Sequence, residues 1–481
     1  MEMASSNTNQ EKGIIGRVWE RLMTLPKAFK EKVVEICSMT KNIAQEDPRK
    51  VIHSLKVGLA ISLVSLFYYY QPLYENFGLS AMWAVMTVVV VFEYSVGATL
   101  GKGLNRTLAT LMAGTLGVGA HYLASLAGEK AEPILIGFFV FLQASIVSFI
   151  RFFPKVKARY DYGFLVFILT FSLISVSGFR DDEVLEMAHK RLSTIFIGGS
   201  ACVVISIFVC PVWAGEELHY SVALNLVKLS ECLEAFVCEY FTTLEEGDSI
   251  NNKSCLKAYK KVLNSKSNEE SLANFAKWEP GHGKFKFHHP WDKYLEIGTL
   301  ARLCAYRMEA LKGYLNLDNQ GSSKIRSTIR DASFEMTLES SKALKELGLS
   351  IETMTKPSAA DTHIAKSKAA SKRLKSLLQT SLREEKDLLS VIPVGTVASL
   401  LIDVVDCIEQ LADCVNDLAS LINFEDVEMN KSSKTSQSPY CECDEPDPKI
   451  DASSHVVILV EESTPTMPKG GKSISDQHNN I

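Results

Sequence analysis

Residues Trp83–Arg106 read WAVMTVVVVFEYSVGATLGKGLNR. The stretch opens as uninterrupted hydrocarbon and closes on two cations, Lys102 and Arg106, spaced four residues apart. On a helix that spacing puts both on one face. The next 22 residues, Thr107–Gly128, carry no formal charge. Arg106 therefore stands at or inside a membrane helix, where an ionisable group costs roughly 2.5–3.5 kcal/mol on insertion scales. A cation kept at that cost points to a path for anions.

The surrounding chain fits this reading. Six charge-free runs follow one another at 57–74, 76–92, 107–128, 133–150, 162–179 and 192–215, each of 17 residues or more. A helix needs about 20 residues to span the hydrocarbon core. After Glu216 no charge-free run exceeds 15 residues in this chain of 481. The expected fold is all-α: a six-helix transmembrane domain followed by a soluble helical bundle. The expected boundaries are 1–47 for a basic N-terminal segment, 48–214 for the membrane domain, 215–424 for the helical domain and 425–481 for a Ser-rich, acidic, disordered tail. Residues 1–50 lack the compact apolar core and cleavage site of a secretory signal. A weakly amphipathic helix around Ala28–Met39 is expected to lie on the lipid surface.

Loop charges set the orientation. The connection after the fourth run carries Arg151, Lys155, Lys157 and Arg159 against Asp161 alone. Those after the first, third and fifth runs are acidic or mixed: Glu75, then Glu129–Glu132, then Asp181, Asp182, Glu183 and Glu186. With the basic N-terminus, the positive-inside rule puts both termini in the cytosol. Ala109, Ala113 and Gly117 form a small-residue stripe that lets a neighbouring backbone approach closely. Gly198 and Gly199 offer the same, or ordinary tolerance of glycine. Near the far end Leu401, Val404, Ile408, Leu411, Val415, Leu418 and Ile422 alternate in steps of three and four, a seam for another helix within the chain or across a dimer.

Other motifs carry less. GATLGKG, residues 97–103, has three residues rather than four between its first two glycines and Gly103 rather than Ser or Thr after Lys102, so it is not a phosphate loop. Lys102 reads as a snorkelling anchor or vestibule charge and Arg106 as a pore residue. Lys190 and Arg191 border the sixth run, and Lys56 lies one turn into the first membrane helix, just ahead of the first run; all are candidates for an anion path. The acids Asp182 and Glu186 suit a hard cation, or simply the start of a helix. His282, His288 and His289 lie in an aromatic loop without metal-ligand spacing, and Cys441 and Cys443 form an isolated CxC, so no metal site is assigned. The 11 unpatterned cysteines read as free thiols. No motif indicates an enzyme, a cofactor or a nucleic-acid partner.

Five stretches are similar to the plant aluminium-activated malate transporter family: Trp83–Arg106 itself, FIRFFPKVKARYDYG, FILTFSLISVSGFRD, FVCPVWAGEELH and LNSKSNEESLANFAKWEPGHGKFKFHHPW. The resemblance covers about residues 46–424. It implies a homodimeric anion channel permeable to malate and inorganic anions, with the pore between two membrane halves and a cytosolic helical domain below. It places the pore arginines at Arg106 and Arg191. Acids linked to activation by an extracellular cation fall near Glu75, Asp182 and Glu186; whether aluminium is that cation is left open. The plasma membrane is the expected location, ahead of the vacuolar one. A proton-coupled exchanger and a membrane-anchored scaffold are the alternatives, and the first would need membrane acids.

Overall fold

A computed structural model describes residues 27–70, 82–128, 130–177, 184–241, 258–315, 323–384 and 388–425. Every regular element among them is a helix. The apolar half comprises α1 (Lys27–Glu46), α2 (Pro48–Tyr69), α3 (Met82–Val91), α4 (Val96–Ser125), α5 (Glu132–Ile150), α6 (Pro154–Ser177) and α7 (Val184–Phe208). The second half comprises α8 (Ala214–Phe241), α9 (Tyr259–Leu263), α10 (Lys266–Ala276), α11 (Trp291–Leu315), α12 (Ser323–Thr353), α13 (Ser358–Glu384) and α14 (Leu388–Ile422). Glu75, Asp182, Cys441, Cys443 and the tail beyond Glu425 lie outside the described residues.

Local chemistry explains the helix starts. Asp47 caps α2 by accepting the Arg49 N–H at 3.1 Å, and Pro48, which lacks a donor, sits where none is needed. Ser95 caps α4, its hydroxyl accepting the Ala98 N–H at 3.3 Å. Here the structure corrects a boundary. The charge-free run begins only at Thr107, with Arg106 at its border. Instead α4 begins at Val96, so GATLGKG is helical and Arg106 is about three turns inside.

Among the described residues four helical segments are long and apolar enough to cross a membrane: Glu132–Ile150, Arg159–Val176, Ala188–Phe208 and Val391–Ile422. The last is the heptad seam in α14. Leu401, Val404, Ile408, Leu411, Val415 and Leu418 are buried, while Asp406, Asp413 and Asp417 are exposed. That helix packs within the chain on α11, α12 and α13, so it forms the bundle core. Its acids, rather than its hydropathy, mark it as a bundle helix.

In the apolar half the small-residue stripe packs α4 on α6. Ala113 is fully buried, and a Cβ at Gly117 would stand 3.1 Å from Ile174. A Cβ at Gly198 would lie 2.6 Å from the Ala84 carbonyl, so α7 and α3 meet there only because no side chain intervenes. Gly199 meets nothing. A compact core of Ala60, Val64, Ala84, Val88, Val91 and Cys202 joins α2, α3 and α7.

Candidate anion pathway

Arg106 on α4 is 6 % exposed and Arg191 on α7 is 4 % exposed. Each is held by an aromatic residue. Arg106 Nη1 donates to the Tyr162 hydroxyl of α6 at 2.8 Å. The Arg191 guanidinium lies 4.0 Å from the centroid of the Trp83 ring on α3, a cation–π contact. The helices carrying the two arginines pack together. Both Nε atoms are buried without a hydrogen-bond partner. Among the described residues neither arginine pairs with a carboxylate. Beside them an open cleft of about 370 Å³ runs between Thr107 and Leu111 of α4 and Leu192, Ser193 and Phe196 of α7.

The other predicted cations are placed differently. Lys102 is ion-paired with Glu93, with its ammonium 5.8 Å from the centre of the Tyr162 ring. Lys56 is 3 % exposed and donates to the Cys210 carbonyl at 2.7 Å. Cys210 has a left-handed backbone (φ 44°) just past the end of α7, where helix carbonyls lack partners. Lys56 thus clamps α2 to the end of α7. Lys190 is half-buried on α7. Glu186 falls in the first turn of α7, but its side chain, like Glu75 and Asp182, lies outside the described residues.

Sequence reasoning missed the residues that orient this helix from below. Glu279, 5 % exposed in the loop between α10 and α11, accepts three backbone N–H groups. Its Oε1 takes those of Gly97 at 3.2 Å and Ala214 at 2.6 Å, and its Oε2 takes that of Gly215 at 3.0 Å. One carboxylate therefore caps the N-termini of α4 and α8 together, where helix dipoles favour negative charge. Burial pushes the Glu279 carboxyl pKa up, and the three N–H groups pull against that rise. A Cβ at Gly97 would stand 2.3 Å from the Phe275 carbonyl, so only glycine permits the approach. Trp278 lies against Gly101, and the Arg159 guanidinium stacks 4.7 Å from the Trp278 ring centre. The sequence signal was the run Trp278-Glu279-Pro280, but nothing in it names the two helix ends.

The aromatic loop is a packed unit. His282 stacks on Trp213 with centroids 3.8 Å apart. His289 Nε2 lies 3.2 Å from the Tyr294 hydroxyl, which lies 3.0 Å from His219 Nδ1. Burial lowers the pKa of both His219 and His289 to about 4. Among the described residues no group of three or more His, Cys, Asp or Glu could hold a metal ion. The described cysteines, Cys37, Cys202, Cys210, Cys232, Cys238, Cys304, Cys407 and Cys414, are free thiols.

Comparison with known proteins supplies the wider context. The family model for "Aluminium activated malate transporter" matches residues 41–384. The chain is 53% identical to aluminum-activated malate transporter 2 of Arabidopsis thaliana, over 89% of this chain and 86% of the relative. It is 51% identical to transporter 1 of the same plant, over 82% and 81%. It is 44% identical to aluminum-activated malate transporter 1 of Triticum aestivum, over 81% and 86%. Relatives of this kind are multi-pass membrane transporters and not enzymes, in line with the sequence reading. This chain belongs to the aluminium-activated malate transporter family.

Proposed function

We propose that the protein is a passive, malate-permeable anion channel of a plant membrane, with Arg106 and Arg191 at the electrostatic centre of its pore. One observation carries this reading: two buried guanidiniums on helices that pack together have no carboxylate partner among the described residues. Such a pair is stabilised when an anion sits between the charges. Arg binds carboxylates in a planar, forked geometry, and malate carries two of them. Names of relatives supply malate as the substrate. Lys102, paired with Glu93, anchors its helix, and Lys190 serves as a vestibule charge that raises local anion concentration.

The wider architecture follows as part of the same proposal. Six spans are formed by α2, by the run ending in α3, and by α4 to α7, with both termini in the cytosol. The pore lies at the interface of a homodimer. An exposed apolar stripe on α4, Leu104, Leu108, Leu111 and Met112, is available for lipid or for the second copy. Glu75, Asp182 and Glu186 are proposed as the extracellular cation site, and the plasma membrane as the location.

Replacing Arg106 by Glu and recording in oocytes or planar bilayers tests the pore assignment. Malate current should fall at least tenfold at normal surface expression. Currents of wild-type size and selectivity would overturn it. Reversal potentials that follow malate across a range of proton gradients support a channel; reversal that tracks pH supports exchange.

A further inference from the structure

A second cavity, of about 420 Å³, opens where the loop bearing Glu279 meets the start of α6. That volume falls in the range of small-molecule sites, roughly 300–1,000 Å³. Its walls include Arg159 from the apolar half and Lys277, His282, Lys286, His288 and Asp292 from the bundle. Two of its charges are already committed. Glu279 is turned toward the backbone N–H groups of Gly97, Ala214 and Gly215, and Asp292 holds Lys277 at 2.8 Å. Among the described residues Arg159 and Lys286 have no carboxylate partner. The cavity is therefore left with a positive balance from two elements that belong to different halves of the chain.

His282 refines the chemistry. Its Nδ1 lies 3.0 Å from the Pro280 carbonyl, an acceptor, so the ring hydrogen sits on Nδ1. Its Nε2 is then a bare acceptor, and it is buried with no hydrogen-bond partner. A ligand that satisfies this site must bring negative charge for Arg159 and Lys286 and a hydrogen for His282 Nε2. The charged groups of a fully ionised dicarboxylate carry no such hydrogen, and malate could offer only its separate hydroxyl. A phosphate monoester has a second pKa of about 6, so its singly protonated form supplies one near neutral pH. The exposed Phe287 at the rim gives an apolar edge for the organic part.

We propose that this cavity is a binding site for a small soluble phosphate monoester, distinct from the anion path. Arg159 and Lys286 take the phosphate charge and His282 Nε2 accepts its remaining hydrogen. The occupant bridges α6 to the loop that caps α4, so its binding bears on the helix that carries Arg106.

The test uses the full-length chain, purified in detergent without anionic lipid. Glucose 6-phosphate and inorganic phosphate are titrated by calorimetry, with glucose and malate as comparisons. Saturable binding of glucose 6-phosphate in the sub-millimolar range is expected, with none for glucose. Lys286→Glu, at an exposed position, should weaken it at least tenfold. His282→Phe should weaken it severalfold while keeping a ring against Trp213. Arg106→Gln should leave it within about twofold, because the pore is elsewhere. No saturable heat up to about 10 mM would overturn the proposal. So would equal binding to the Lys286→Glu protein, or loss in Arg106→Gln alone, which would trace the signal to the pore. Binding only to vesicles carrying phosphoinositide headgroups would also overturn it, since the source would then be lipid.

Discussion

Glu279→Ala removes one acceptor and strands three donors. The N–H groups of Gly97, Ala214 and Gly215 all end on this carboxylate, and the site is closed to solvent. A buried donor left unpaired costs about 1–3 kcal/mol, so three set a gross loss of roughly 3–9 kcal/mol. Part of this is recovered, because burial already disfavours the Glu279 charge and removing it relieves that penalty. A net destabilisation of about 3–5 kcal/mol is expected, the scale seen when one partner of a buried charged contact is deleted. At roughly 2 °C per kcal/mol, Tm should fall by about 6–10 °C. Glu279→Gln gives an internal control. Its oxygen can still accept from Gly97 and Ala214, but its amide N–H groups then face the Gly215 N–H, donor against donor. The loss should be about half that of alanine. Thermal unfolding of the purified full-length protein reads the order wild type, Gln, Ala. Because Gly97 lies in the first turn of the helix carrying Arg106, malate current per surface channel should fall in the same order. An alanine variant within about 2 °C of wild type, or a glutamine variant worse than alanine, would refute the capping argument.

Other perturbations follow from the same contacts. Arg302→Leu strands Glu269, which is 1 % exposed and also bonded to Asn225, and should cost about 3–5 kcal/mol; adding Glu269→Gln should restore most of the Tm. His219 and His289 titrate near 6.5 when unfolded and near 4 when folded, so the unfolded chain binds more protons between those values. Stability should therefore be flat above pH 7 and fall as pH drops from 6.5 to 4, by up to about 3 kcal/mol per histidine; thermal scans should show a shallower slope in His219→Gln. Tyr162→Glu gives Arg106 a resident carboxylate in place of a hydroxyl, and malate current should fall at least tenfold at unchanged surface expression.

Much of the fold was legible because hydrocarbon runs and heptads are local signals. The start of α4 was not, since Gly97, Gly101 and Gly103 are poor helix formers and imitate a loop. For Gly97 and Gly101 the reason lies far off in the chain, in the Phe275 carbonyl and the Trp278 ring that need the space, whereas a Cβ at Gly103 would meet only Val91, at 3.4 Å. Lys56 was read as a candidate pore cation from its depth alone, whereas its partner is the Cys210 carbonyl, 154 residues away. Arg106 and Arg191 were legible as misplaced charges, but their aromatic supports were not. Tyr162 lies 56 residues from Arg106, and no periodicity links them. Trp83 stood inside the opening stretch, yet only the packing of α3 on α7 pairs it with Arg191.

Among the described residues three buried arginines are treated in two ways, and the difference bears on mechanism. Arg302 in the bundle meets Glu269 and also bonds Thr299 and Ser265, so its charge is neutralised in place. The apolar half does the same elsewhere: Lys102 has Glu93, and Arg151 holds Asp161 through two hydrogen bonds of 2.7 and 3.1 Å. A chain that supplies acids to these cations supplies none, among the described residues, to Arg106 or Arg191. Two like charges kept in low-dielectric surroundings are costly, and a mobile anion is the group that lowers the cost at the moment of passage. Proton coupling needs an acid free to titrate along the path. Glu93 and Asp161 are each held by a cation, and Glu132 lies 3.7 Å from His121. Among the described residues the distribution of counter-charge is thus in keeping with the passive conduction proposed above rather than with proton-driven exchange, on grounds independent of the names of relatives.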